Sequence, residues 1–131
     1  MELSEIVKTV YKNFNDRNID QIFSMLHKDV KWANGWEGGF VYGHDEVRDY
    51  WTRQWNEITP FVYPVSIVDH GNGKIEVEVH QIVNDMKGNL IVDGIVKHHF
   101  QMESGLIKQF EIEKETPDDI VSNISKSPRL E

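Results

Sequence analysis

The sequence predicts a segregated α+β domain, with helices gathered in the first half and an antiparallel sheet in the second. Before Ile58, three stretches repeat their apolar residues at intervals of three and four; from Phe61 onward the repeat changes to strict alternation. The most informative stretch is Asn89 to Glu113, where two alternating runs meet at the turn Glu103-Ser104-Gly105. In its first run Leu90, Val92, Val96, His98, Phe100 and Met102 fall on one side, and Ile91, Asp93, Ile95, Lys97, His99 and Gln101 on the other. Both sides carry apolar groups, so this strand needs neighbours on both edges and a layer packed over at least one face.

Each element has its own local reason. Leu3, Ile6, Val7, Val10, Tyr11 and Phe14 share one face of a first helix, which Asn15-Asp16-Arg17-Asn18 interrupts with turn-forming residues. In a second, short helix Ile19, Ile22, Phe23 and Leu26 share a face, Asp20 suits the positive end of the dipole, and His27-Lys28-Asp29 closes it. Val30 to Trp32 reads as a short strand, followed by the glycine-rich loop Asn34-Gly35-Trp36-Glu37-Gly38-Gly39. Phe40-Val41-Tyr42 leads into a third helix over His44 to Ile58, with Val47, Trp51, Trp55 and Ile58 as its buried stripe and Tyr50 beside it. Strands follow over Phe61 to Val68 and Lys74 to Val83, joined at His70-Gly71-Asn72-Gly73. In the second of these, Ile75, Val77, Val79, Gln81 and Val83 face one way and Glu76, Glu78, His80 and Ile82 the other. Residues 1–115 read as one domain and 116–131 as a polar tail, in which Thr116-Pro117 could open one helical turn through Ile124.

Composition narrows the function classes. With 131 residues the chain can enclose one core, and 14 Lys and Arg against 22 Asp and Glu leave a net charge of −8. That field repels phosphate backbones and anionic lipid, so neither nucleic acid nor membrane is expected as a partner. Cysteine is absent, which excludes thiolate nucleophiles and Cys-ligated zinc and fits a cytoplasmic setting. No apolar run approaches the roughly 18 residues of a membrane helix, and no cofactor motif is present: Gly38-Gly39 lacks the lysine of a phosphate loop.

The order of elements, with Asn18-Ile19-Asp20 before the second helix, Asp29-Val30-Lys31-Trp32 after it and Gly43-His44-Asp45-Glu46-Val47 opening the third, resembles the NTF2-like superfamily. It is most similar to the SnoaL-like and ketosteroid-isomerase-like members, over roughly Leu3 to Glu113. The resemblance implies a curved antiparallel sheet wrapped by three helices into a cone, with an apolar internal pocket and a homodimer formed through the convex sheet face. It also implies three catalytic places. The hydrogen-bond donor on the third strand of the large sheet is His98 here; the general-base place falls on Asn34, an amide that cannot abstract a proton; the oxyanion tyrosine falls on Val10, with Tyr11 one residue, or about 100°, around the helix. Asp93 and Arg48 lack the spacing of the epoxide-hydrolase triad.

His98 is therefore the candidate catalytic residue. On the apolar side of its strand it is expected to be desolvated and neutral, and a bonded core histidine is the competing reading. His99 should point to the opposite face, and a metal site from His80, His98 and His99 is disfavoured because adjacent strand residues diverge. Trp32, Asn34, Tyr42, Trp51, Trp55, Gln81, Phe100 and Phe110 are the candidate ligand-binding residues, the aromatics as pocket walls and the polar groups as orienters. Gln81, a buried amide, must find a partner, and His98 across the sheet is one option. The expected function is binding of a small apolar or aromatic molecule, either as a cofactor-free isomerase, cyclase or hydratase acting through His98 or as a noncatalytic binding or dimer-forming module.

Overall fold

A computed structural model describes residues 2–113; the tail and its helical turn lie outside the described residues. The elements are α1 (Leu3–Asn15), α2 (Ile19–Phe23), β1 (Leu26–Ala33), β2 (Phe40–Tyr42), α3 (Gly43–Glu57), β3 (Ile58–Gly71), β4 (Lys74–Asp85), β5 (Leu90–Glu103) and β6 (Leu106–Ile112). The predicted α+β class holds. One six-stranded sheet in the order β2-β1-β6-β5-β4-β3 curves around the helices. All neighbours are antiparallel except β1 and β6, the first and last strands of the chain, which run parallel.

Two boundaries differ from the helical periodicity. Leu26 is not on the face of α2 but opens β1, where it is buried and pairs with Ile107. His27, Lys28 and Asp29 belong to the strand, whose register shifts between Leu26 and Lys31 while the Asp29 N–H donates to His27 Nδ1 at 3.0 Å. Ile58, predicted to end α3, is extended and begins β3, where it is buried. Phe40–Tyr42 is a strand paired with β1, not only a lead-in to α3.

β3 is an edge strand and carries Pro60 and Pro64, which an edge tolerates because no neighbour asks for their missing N–H. Asn15 protects this edge. Its side-chain amide donates to Val62 O at 2.8 Å and accepts from Val62 N at 2.9 Å, as a neighbouring strand would. Arg17 adds a second tie, donating to Pro60 O at 2.7 Å with its guanidinium over Phe14, Trp55 and Phe61.

The helices cover one face of the sheet. Val7, Val10 and Tyr11 of α1 and Val47, Tyr50 and Trp51 of α3 meet Ile75, Val77, Val79, Phe100, Met102 and Phe110 in one core. Burial along β5 alternates as expected from Val96 to Met102, whereas Leu90 and Val92, at the hairpin end, are exposed. On the outer face His80 bonds Asp93 at 2.6 Å and His99 bonds Glu113 at 3.0 Å.

The β3–β4 hairpin turns through Gly71, Asn72 and Gly73, all at positive φ. A Cβ on Gly73 would stand 2.5 Å from Met102 O, in a backbone that cannot yield, while one on Gly71 meets nothing within 4 Å. Gly73→Ala is expected to lower the urea midpoint by the equivalent of about 1–3 kcal/mol, and Gly71→Ala by less, since only the second lacks the clash. Equal midpoints for the two variants would show that the close approach to β5 does not matter.

Candidate functional site

His98 sits in mid-β5, opposite Val77 on one side and Ile112 on the other. Only 5% of it is exposed, on the same face as the helices, while half-buried His99 faces outward. Tyr11 of α1, itself 4% exposed, places its hydroxyl 2.7 Å from His98 Nδ1, and the two rings stack at 5.9 Å. Phe110 meets the imidazole edge-on at 4.7 Å, and Phe100 packs edge-on against Tyr11. The enclosure is aromatic.

Burial, reinforced by the neighbouring His99 charge, pushes the His98 pKa down to about 3. Burial also raises the Tyr11 phenol well above its ordinary value. Both groups are therefore neutral at pH 7. The phenol O–H has no other acceptor among the described residues, so it donates to Nδ1 and the imidazole proton resides on Nε2. Nε2 itself has no hydrogen-bond partner among the described residues. The pair thus offers one N–H donor on the enclosed side of the sheet.

A second polar group lies at the same end of the core. The Ile112 side chain touches Gly35, where an added Cβ would be 2.8 Å from Ile112 Cδ1. Gly35 N donates to Tyr50 Oη at 3.1 Å, and the Gln54 amide bonds the same hydroxyl at 3.1 Å. Burial raises the Tyr50 pKa to about 12. Gln54 is 9% exposed, and the other end of its amide is enclosed without a partner, as is the Trp55 indole N–H.

The predicted site residues divide sharply. Trp32, Trp51, Phe100 and Phe110 come together with His98, but as a closed stack: Trp32 lies 4.2 Å from Phe110 and meets Trp51 at 5.3 Å and 90°. Trp55 stacks on Trp51 and Phe14 at the edge of this cluster. Asn34 is committed to its own loop: Oδ1 accepts from Trp36 N and Glu37 N, and Nδ2 donates to Glu37 Oε1. Arg53 of α3 holds Glu37 in turn, lowering its pKa to about 2, with Asn34 contributing, and Trp36 Nε1 donates to Glu57 Oε2. The loop is clasped to α3. Tyr42 is 55% exposed on the edge strand β2, with no hydrogen bond from its hydroxyl among the described residues. Gln81 lies opposite Gly94 and Val62, four residues along β5 from His98, roughly 13 Å at strand rise, so it does not bond the imidazole.

Sequence reasoning placed Tyr11 out of phase with the oxyanion position and passed over Gln54. A tyrosine on an otherwise apolar helix stripe needs a partner for its hydroxyl, and Gln54 stands three residues after Trp51 and seven after Val47 on the buried stripe of α3. The helical offset does not matter because Tyr11, like Val10, lies on the buried face of α1.

Two hollows open elsewhere. One of about 300 Å³ on the outer sheet face is lined by His70, Lys74, His99, Gln101, Gln109 and Glu111; another of about 320 Å³ lies between Ser4 and Lys8 of α1 and Pro64 to Ile67 of β3. Among the described residues no group of three or more His, Asp or Glu side chains could hold a metal ion, and no helix is long and apolar enough to cross a membrane.

The model of the SnoaL-like domain matches residues 7–110. The chain belongs to the SnoaL-like family, within the NTF2-like superfamily. An NTF2-like protein of unknown function from Burkholderia pseudomallei is 23% identical to this SnoaL-like chain, with 92% of this chain and 97% of that one covered at a TM-score of 0.77. TerC, solved with polyporic acid, is 20% identical, covering 95% and 98% of the two chains at 0.76. SalBIII, described as an epoxide hydrolase/cyclase-like enzyme in pyran ring formation in polyether salinomycin, is 15% identical, covering 88% and 92% at 0.73. At these identities the likeness to solved structures speaks for the fold alone. No curated protein matches the sequence.

Proposed function

We propose that this SnoaL-like protein binds a small apolar or aromatic molecule carrying an acceptor oxygen, to which neutral His98 donates from Nε2. The observation that carries this reading is the 2.7 Å bond between Tyr11 and His98, which uses Nδ1 and leaves Nε2 as the remaining donor of a buried ring packed against Phe110. The small ligand held by TerC is in keeping with this reading. Trp32, Trp51, Trp55, Phe100 and Phe110 supply the surrounding apolar surface. Asn34, Tyr42 and Gln81 are assigned no direct part.

The catalytic form of the reading is a cofactor-independent isomerisation, cyclisation or hydration. With its pKa near 3, His98 is a weak proton acceptor at pH 7, so its role in turnover is to polarise a carbonyl through a neutral imidazole N–H. The description of SalBIII favours this form. The noncatalytic form rests on the lack, among the described residues, of any carboxylate bonded to either member of the pair. Exposed Tyr63 and Ile95, which flank His80 on the outer face of the sheet, support a homodimer through that face, and the cysteine-free composition suits a cytoplasmic protein.

Native mass spectrometry after incubation with 2-acetylnaphthalene tests the binding reading and reports the subunit count together. The wild type is expected to take up the ketone. The double variant Tyr11→Phe/His98→Leu removes both partners, leaves no orphaned polar atom, and is expected to fold and to bind the ketone roughly tenfold more weakly. No uptake by the wild type would sink the ligand reading; equal affinity in the variant would remove His98 from it.

A further inference from the structure

We infer that Gln54 is a second recognition residue, presenting an amide N–H to the ligand and selecting for a neutral carbonyl compound; this rests on the ligand-binding reading above. The amide makes one bond, at 3.1 Å to Tyr50 Oη, and its two ends are interchangeable at that distance. Hydrogen counting decides which end faces inward. Tyr50 Oη already accepts from Gly35 N, so if the Gln54 NH₂ also donated to it the phenol O–H would have no acceptor among the described residues. With the amide turned over, Tyr50 O–H donates to Gln54 Oε1, Gly35 N–H donates to Tyr50, and every hydrogen in the chain is used. The enclosed, unpartnered end of Gln54 is then Nε2, a donor.

Its place relates it to His98. Ile112 is the cross-strand neighbour of His98 and touches Gly35, which Tyr50 joins to Gln54, so a short run of contacts on the helix-covered side links the amide to the imidazole. Trp55 Nε1, also enclosed and unpartnered, is a further donor on the helix that carries Gln54. Three N–H groups on the helix-covered side of the sheet thus lack acceptors among the described residues. A ligand that brought its own O–H donors would leave some of them facing hydrogens, and a carboxylate would enter against the −8 net charge. A ketone-type oxygen, with two lone pairs and no hydrogen, meets both objections.

The test compares two compounds of nearly the same shape, 2-acetylnaphthalene and 2-isopropenylnaphthalene, which differ in C=O against C=CH₂. By tryptophan fluorescence titration the wild type is expected to prefer the ketone by roughly tenfold or more, and Gln54→Met to keep its affinity for the alkene while the preference falls to a few-fold. Undiminished ketone preference in Gln54→Met overturns this inference and leaves the ligand reading standing. Uptake of neither compound by the wild type overturns both. Should Gln54→Met fail to fold, the ¹⁵N side-chain amide signals of the wild type decide: those of Gln54 should shift with the ketone and stay with the alkene, and the reverse, or no shift with either, overturns the assignment.

Discussion

Trp51→Ala is expected to remove about 3–5 kcal/mol from the free energy of unfolding, the range for deleting a fully enclosed large aromatic. Trp51 is 1% exposed and is the hub of the aromatic core, meeting Trp32 at 5.3 Å, Phe23 at 5.6 Å, Phe14 at 5.7 Å and Trp55 at 5.9 Å. It therefore joins α1, α2, α3 and β1 through one side chain. Its neighbours come from four elements that cannot all collapse inward, so most of the vacated volume should persist as a cavity. Against a typical total of about 5–15 kcal/mol this is a large fraction. Trp51→Phe keeps part of the contact and should cost clearly less. The measurement is urea unfolding at pH 7 and fixed protein concentration, because any dimerisation would add its own stability. A loss below about 1 kcal/mol for Trp51→Ala would mean that the stack is not what holds the helices on the sheet.

The fold was largely legible because its signals are periodic. Val47 and Trp51 lie one turn apart on α3, and Ile75, Val77 and Val79 alternate with Glu76 and Glu78, so these residues found their faces from spacing alone. The boundary errors came where two periods overlap. Leu26 continues the helical spacing of Ile19, Ile22 and Phe23, yet the chain turns at Ser24 and Leu26 is claimed by the β6 edge, where Ile107 N donates to Met25 O. Ile58 likewise fits both the α3 stripe and the first position of β3. The site was only half legible. Strand parity placed His98 on the enclosed face, but its partner Tyr11 lies 87 residues earlier, and no local pattern encodes that meeting. Asn34 failed as an orienter for a local reason that spacing does carry: an Asn three residues before a Glu, in a glycine-rich loop, readily turns its amide back on its own backbone.

The second large effect concerns acid. In the unfolded chain His98 should titrate near its ordinary value of about 6.5; folded, burial and the His99 charge hold it near 3. Between those values the unfolded state binds the proton and the native state does not, so stability rises with pH across this window and is lost as pH falls from about 6.5 toward 3. Below about 3 both states are protonated and the loss is complete, on the order of 5 kcal/mol. Carboxylates and the other histidines also respond in this range, so the wild type alone is uninformative. The comparison that isolates His98 is with Tyr11→Phe/His98→Leu, which shares the other titrating side chains and lacks only this pair. From pH 6.5 to 4.5, urea unfolding should show the wild type losing roughly 2 kcal/mol more than the double variant. Tyr11→Phe alone should behave differently: it leaves Nδ1 without its donor, costs on the order of 1–3 kcal/mol at pH 7, and keeps the acid sensitivity because the imidazole is still buried. If the wild type and the double variant instead decline in parallel, the imidazole is hydrated or paired in solution, and it cannot be the buried, neutral donor on which the binding reading depends.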